Sequence, residues 1–339
     1  MNRRKIRAYI KSGWTYQRII RVNRLAVQKS DQSDGTRAFL RFLGSLKIYC
    51  YKVHTSFNYN LINGFNLKKS MEKSFLICYI LAMGQICVFV NQKGGVGKTT
   101  SAINIGAYIA EAGKNVLLVD FDAQANLSSG IGANPPKPGI YELLSGTATP
   151  EQAIKKTAVK KLDVIPASID LSGAAVELID QKERNFFLKK VLTPIKNNYD
   201  FILIDCPPSL GQLTMNGLAA ADSVLIPMQC EYFAMEGLKQ LLHTTKLIQK
   251  GLNPTLKIGG IFFTMYDPRT RLANDVIKQV SAIYKEAVLN TIIPRNIRLS
   301  EAPSYGMPIS LYDPQCPGAR AYLSLAQELI RRSGGKNGA

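Results

Sequence analysis

Two lysines bracket a glycine-rich run in NQKGGVGKTTSAIN, residues 91–104. Gly94, Gly95 and Gly97 free the backbone to turn its N–H groups inward, which is what holding a phosphate requires. Lys98 brings a cation to β- and γ-phosphate oxygens. At about 4 Å such a contact is worth roughly 4 kcal/mol at an effective dielectric near 20. Thr99 offers a hydroxyl to Mg²⁺, and Val96 and Thr100 complete the loop and the first helical turn. The usual pattern GxxxxGK(S/T) asks for glycine at position 92, where this chain has Gln92. KGGVGKTT is therefore a variant, and Lys93 is a second cation that the pattern does not require.

Two acidic positions add to the loop. FILID, residues 201–205, is an apolar run closing in a carboxylate. In an α/β sheet this places Asp205 at the carboxyl end of a strand, beside a nucleotide's Mg²⁺. VDFDAQAN ends a second run with Asp120 and Asp122. Asp122 is placed to orient an attacking water, and Asp120 to support the Mg²⁺ shell. Phosphoryl transfer needs mainly positioning and charge stabilisation, so few side chains suffice.

These residues need a sheet to hold them. QICVFV (85–90), NVLLVD (115–120), LDVIPA (162–167), DFILID (200–205), SVLIPM (223–228), LKIGGIFFTMY (256–266) and a short TIIP (291–294) read as strands. Such near-continuous apolar runs suit a parallel sheet covered on both faces. Helices are expected at Lys98–Ala112 with a stripe of Ile105, Ile109 and Ala112, after Pro150, over about 173–192, at Phe233–Gln249, near 271–286 and at Ala319–Arg332. Gly113 fits a C′ position. Ala234, Leu238, Leu241, Thr245 and Ile248 share one face of the fourth of these. The alternation predicts an α/β fold, a doubly wound, mostly parallel sheet with helices on both faces, of the P-loop NTPase type.

The chain has 339 residues and a formal net charge of +19, which points to an anionic partner, nucleic acid or a membrane surface. Residues 1–82 hold 16 Lys/Arg against 3 Asp/Glu, leaving 27 against 21 for the rest, so the excess is +13 and +6. That basic, aromatic-rich stretch has three readings: translation starting at Met83, a transit peptide, or an accessory segment for DNA or partners. Residues 83–332 then form the nucleotide-binding domain and 333–339 a disordered tail. Phe75–Val90 is uncharged for 16 residues but short for a membrane span, and its second half is the first strand. The six cysteines form no CxxC pair and read as buried hydrophobes; His243 reads as an exposed helix residue.

KGGVGKTT, VLLVDFDAQAN, FILIDCPPSL, QCEYFAMEGL, TMYDPRTRLAND and IPRNIRLSEAPSYG, in this order, resemble the ParA/Soj family of chromosome- and plasmid-partitioning ATPases, from about Met83 to Ile330. The resemblance implies ATP and Mg²⁺ as cofactors and a homodimer when ATP is bound. In it, Lys93 crosses the interface to the partner's phosphates, and Gly94 and Gly95 allow two loops to approach. Thr99 and Asp205 match the Mg²⁺ site, Asp122 the residue for hydrolysis, and Pro294 and Asn296 the loop around the base. Arg269 and Arg298 match positions that contact double-stranded DNA without sequence preference, with Arg271 and Arg295 as neighbours. It further implies a ParB-like centromere-binding partner that stimulates an otherwise weak hydrolysis, no stable membrane insertion, and a cytoplasmic, nucleoid-associated protein. One departure is visible: DAQAN stands where the family has Asp-Pro-Gln-Gly-Asn. Two alternatives are a MinD-like membrane-associated positioning ATPase, which needs a lipid-binding C-terminal helix, and a reductase resembling the nitrogenase iron protein, which needs cluster-holding cysteines.

Overall fold

The computed structural model describes residues 84–133, 137–177 and 180–333. The readings made for residues 1–82, Met83, Pro135, Pro136 and the last six residues of the tail lie outside these. The described elements run β1 Gln85–Phe89, α1 Lys98–Glu111, β2 Val116–Asp120, α2 Asn126–Gly130, α3 Ile140–Leu144, α4 Pro150–Ala153, β3 Lys155–Lys156, β4 Leu162–Ile165, α5 Leu171–Glu177, α6 Phe187–Leu192, β5 Phe201–Asp205, α7 Gln212–Ala220, β6 Ser223–Gln229, α8 Ala234–Gly251, β7 Lys257–Thr264, α9 Arg271–Ile283, α10 Arg298–Glu301, α11 Ile309–Tyr312 and α12 Pro317–Ser333.

The strands form one sheet in the order β3-β4-β2-β5-β1-β6-β7. All neighbours are parallel except the short edge pair of β3 with β4. The doubly wound α/β architecture expected from the sequence is the one found. Strand residues alternate between two cores. Ile86, Val88, Leu117, Val119, Ile202 and Ile204 face one layer of helices, while Cys87, Phe89, Val116, Leu118, Phe201 and Leu203 face the other. Period-2 patterning with both sides apolar is the signature of a sheet buried on both faces.

Helix α1 departs from the expected stripe. All ten residues from Ser101 to Ala110 are buried, while Ala112 is exposed. A helix apolar all round is a central helix, and α1 lies between the sheet and α12. Gly106 permits this: a Cβ there would meet Leu118 Cδ2 at 2.7 Å. On the outer side Ser101 Oγ and Tyr322 OH share a 3.0 Å hydrogen bond. Gly113 ends the helix at φ 90°, in the left-handed region that glycine tolerates.

Three expectations need correction. The helical run over 173–192 is broken into α5 and α6, because Asp180–Asn185 carries no apolar residue to bury and Glu183 turns left-handed at φ 61°. TIIP is not a strand; it makes one isolated bridge, Tyr266 with Pro294. Pro294 has no N–H to give, and the amides of Asn290 and Thr291 donate to the Glu328 carboxylate at 2.9 and 3.1 Å. The third is β3, unexpected from sequence, a lysine pair on the sheet edge where charge discourages further pairing. His243 is exposed, as expected.

Candidate nucleotide site

The expected loop residues gather at the carboxyl ends of β1, β2 and β5. Gly95 and Gly97 take φ of 71° and 86°, so glycine is required at both. Val96 is buried, and its carbonyl accepts the Thr264 hydroxyl at 2.9 Å, tying the loop to the end of β7. The first amide of α1 to find an acceptor is that of Ser101, on the Gly97 carbonyl at 2.9 Å. The amides before it face the loop's mouth with the positive end of the helix dipole behind them, an arrangement that favours phosphate.

Lys98 is 7% exposed, and its ammonium donates to the carbonyls of Asn91 at 3.2 Å and Lys93 at 3.4 Å. Burial pulls its pKa down, opposed chiefly by Asp205. Thr99 Oγ1 donates to Asp205 Oδ2 at 2.6 Å. Asp205 Oδ1 is buried with no hydrogen-bond partner among the described residues. Burial, then the neighbouring Asp120, pushes Asp205 up to about 8, against the Thr99 hydroxyl and the Lys98 ammonium. A buried, orphaned carboxylate oxygen beside a hydroxyl is a cost unless a cation takes it. Thr99 and Asp205 thus fit a Mg²⁺ ion.

Asp120 lies in register beside Asp205. Both its oxygens are engaged: Oδ2 accepts the Ser128 amide at 2.8 Å and hydroxyl at 2.6 Å, and Oδ1 the Asp122 amide at 3.3 Å. Burial pushes Asp120 up to about 6 against these bonds. Asp120 therefore faces the protein as the anchor of the loop that carries Asp122. Asp122 is half-buried, and its Oδ1 accepts the Gln124 amide at 3.0 Å.

Lys93 points elsewhere. It is half-exposed, and its ammonium donates to Gln229 Oε1 at 3.1 Å and pairs with Glu231, just past the end of β6. The loop beneath is fixed by Asn91, whose Oδ1 accepts the Lys93 amide at 3.0 Å and whose Nδ2 donates to the Pro227 carbonyl at 2.8 Å. Gly94 and Thr100 lie in the loop and in the first turn of α1. Pro294 runs beside the end of β7, held by the Tyr266 and Arg295 amides on the Ile293 and Tyr266 carbonyls, each at 3.0 Å. Asn296 Oδ1 accepts the Arg298 amide at 3.1 Å, opening α10.

A family model described as an AAA domain matches residues 84–258. The chain is 62% identical over 252 residues to the chromosome-partitioning ATPase Soj of Treponema pallidum, an alignment covering 74% of this chain and 99% of that protein. The chain belongs to the ParA/Soj family of partitioning ATPases. A second relative, the sporulation initiation inhibitor protein Soj of Bacillus subtilis, is 53% identical over 73% of this chain and 98% of its own length. Among solved structures, cobyrinic acid a,c-diamide synthase from Mycobacterium smegmatis with a bound ATP analogue and magnesium matches with a TM-score of 0.66, at 39% identity over 73% of this chain and 94% of that one.

The ParA/Soj resemblance placed Arg269 and Arg298 on DNA. Both are exposed and both already sit on carboxylates: Arg269 on Asp267 at 2.6 Å, Arg298 on Glu301 at 2.9 Å and Asp313 at 3.4 Å. Glu301 lies three residues after Arg298, a helical spacing that announces such a pair; Asp267 lies two residues before Arg269, in the turn that leads into α9. Arg271 and Arg295 are exposed and belong to no ion pair among the described residues. Sequence reading missed Asn91, Gln229, Glu231 and Ser128. Asn91 adjoins the loop in the chain, Gln229 and Glu231 lie 136 and 138 residues from Lys93, and Ser128, eight residues from Asp120 and 39 from Ala167, carries no distinctive type.

Proposed function

We propose that this chain is an ATP-dependent dimerisation switch for DNA partitioning. Bound ATP joins two copies in a sandwich, the dimer binds double-stranded DNA without sequence preference, and a ParB-like partner speeds an otherwise weak hydrolysis that releases it. The observation that carries this reading is the division between the two lysines: Lys98 is buried within the loop, while Lys93 stands at its mouth with its ammonium directed away from the cradle. A single protomer's phosphates need one such cation, and the second is free to serve a facing copy.

In this mechanism the loop amides and Lys98 bind the triphosphate, and Pro294 and Asn296 flank the base. Thr99 and Asp205 hold Mg²⁺, which when bound draws charge from phosphate oxygens. Asp122 orients the attacking water at the end of its loop. Cys206, beside Asp205, takes no part; burial raises its thiol well above the usual range. Nucleic acid is favoured over lipid because the apolar face of α12, with Tyr322, Leu325 and Leu329, is buried in the core. Among the described residues no helix is long and apolar enough to cross a membrane.

Two experiments test the reading. Asp122→Ala is expected to slow ATP turnover about 100-fold or more while leaving an ATP dimer that stays on DNA; phosphate release and a gel shift report the two properties. Rapid turnover in this variant would refute the role. Arg298→Glu is expected to weaken DNA binding more than about tenfold at low salt while the ATP dimer persists. For the native protein log affinity should fall against log salt with a slope of about −0.9 per phosphate neutralised. Undiminished binding by the variant would move the DNA face away from α10.

A further inference from the structure

The loop that carries Asp122 is held in an unusual way. Phe121 and Leu127 anchor its two ends in the core, but none of the residues from Asp122 to Asn126 is buried. A cavity of about 430 Å³ opens beside it, lined in part by Ala123, Gln124, Ala125, Ala133, Ala167 and Ile169. The two alanines of DAQAN touch the edge of the core but are too small to fill that space, so packing alone does not set the loop's position. Ala125 also adopts φ 53°, a left-handed conformation unfavourable for any residue with a Cβ. Such a conformation persists only where its surroundings impose it.

Hydrogen bonds supply what packing does not, and they converge on Ser128. Its side chain is 2% exposed. The Ser128 hydroxyl donates to Asp120 Oδ2 at 2.6 Å and accepts the Ala167 amide at 2.9 Å, while its own amide donates to the same carboxylate oxygen at 2.8 Å. One hydroxyl thereby links the end of β2, the start of α2 and the segment after β4. From the other side the Asp122 amide donates to Asp120 Oδ1 at 3.3 Å. The loop is closed at both ends through one carboxylate, and that carboxylate is oriented by Ser128.

We infer that Ser128 is a positioning residue for hydrolysis: its hydroxyl fixes the Asp120 carboxylate and, through it, places Asp122 where water must be oriented. This rests on the ATPase reading given above. The Ser128 hydroxyl is spent on Asp120 and the Ala167 amide, so its loss is expected to act on the chemical step and not on nucleotide affinity. A displacement on the scale of 1 Å at a positioning group is enough to lower a rate by up to about a hundredfold.

The test compares the full chain with Ser128→Ala and Ser128→Thr under saturating Mg²⁺–ATP and DNA, measuring kcat, ATP affinity and thermal midpoint together. Ser128→Ala is expected to lower kcat about ten- to a hundredfold with ATP affinity and ATP-dependent dimerisation within about twofold of the native values. Ser128→Thr, which keeps the hydroxyl, is expected to recover most of the rate. An unchanged kcat in Ser128→Ala overturns the inference. So does a parallel loss of kcat and ATP affinity, which would mark a merely structural role, or a threonine variant that binds ATP normally and hydrolyses no faster than alanine. Native protein that hydrolyses no ATP would instead refute the ATPase reading itself.

Discussion

Lys98→Ala is expected to lower ATP affinity about a thousandfold, read by titration calorimetry. A cation–phosphate contact at about 4 Å is worth roughly 4 kcal/mol at an effective dielectric of 20, and each 1.4 kcal/mol is about a factor of ten. In the described state the Lys98 ammonium rests only on the neutral carbonyls of Asn91 and Lys93. Burial already disfavours its charge. It is a desolvated cation with no carboxylate in direct contact, oriented in advance for an anion. Two consequences follow from this. Affinity should collapse without it, and the ATP-free protein should not become less stable, because a desolvation cost disappears with the side chain. A variant that binds ATP within tenfold of the native chain, or that melts well below it without nucleotide, would contradict this account.

Lys93→Gln is expected to keep ATP binding and lose the ATP dimer, weakening association about 10⁴-fold by light scattering or sedimentation. The estimate weighs two contacts. On the protomer, Lys93 pairs with Glu231, with side chains 48% and 56% exposed. An ion pair that open to water contributes about 1 kcal/mol or less. Across a dimer each lysine would meet a phosphate sheltered between two loops, worth roughly 4 kcal/mol. The difference, about 3 kcal/mol for each of two lysines, favours the partner's phosphate once nucleotide is present. It also explains how one side chain can serve both states: Glu231 holds the ammonium loosely enough to release it. Normal ATP dimerisation by this variant would remove Lys93 from the interface.

Much of this was legible in the sequence because local signals agreed. An apolar run, a glycine loop and a helix predict a phosphate cradle, and the cradle is there with both φ-positive glycines in place. Asp205 closes a strand in register with the first, and a run ending in a carboxylate announced it. What sequence concealed was set by distance or by tertiary competition. Nothing in the stretch around Lys93 names Glu231 as its holder, since the two are 138 residues apart and β6 brings them together. Ser128 is an ordinary serine until Asp120 and Ala167 converge on it. TIIP has the composition of a strand, but Glu328 on α12 takes the amides of Asn290 and Thr291, and only Ile293 in TIIP is left to donate to β7, at the Phe263 carbonyl. Burial on α1 is wider than the expected stripe because α12 packs on the helix from the side away from the sheet.

The most direct measurement is a structure of the full chain with Mg²⁺ and a non-hydrolysable ATP analogue. The account predicts two facing copies, with each Lys93 ammonium withdrawn from Glu231 and set against the triphosphate held by the other. A nucleotide-bound chain in which Lys93 still sits on its own Glu231, with no second copy opposite the loop, would contradict it.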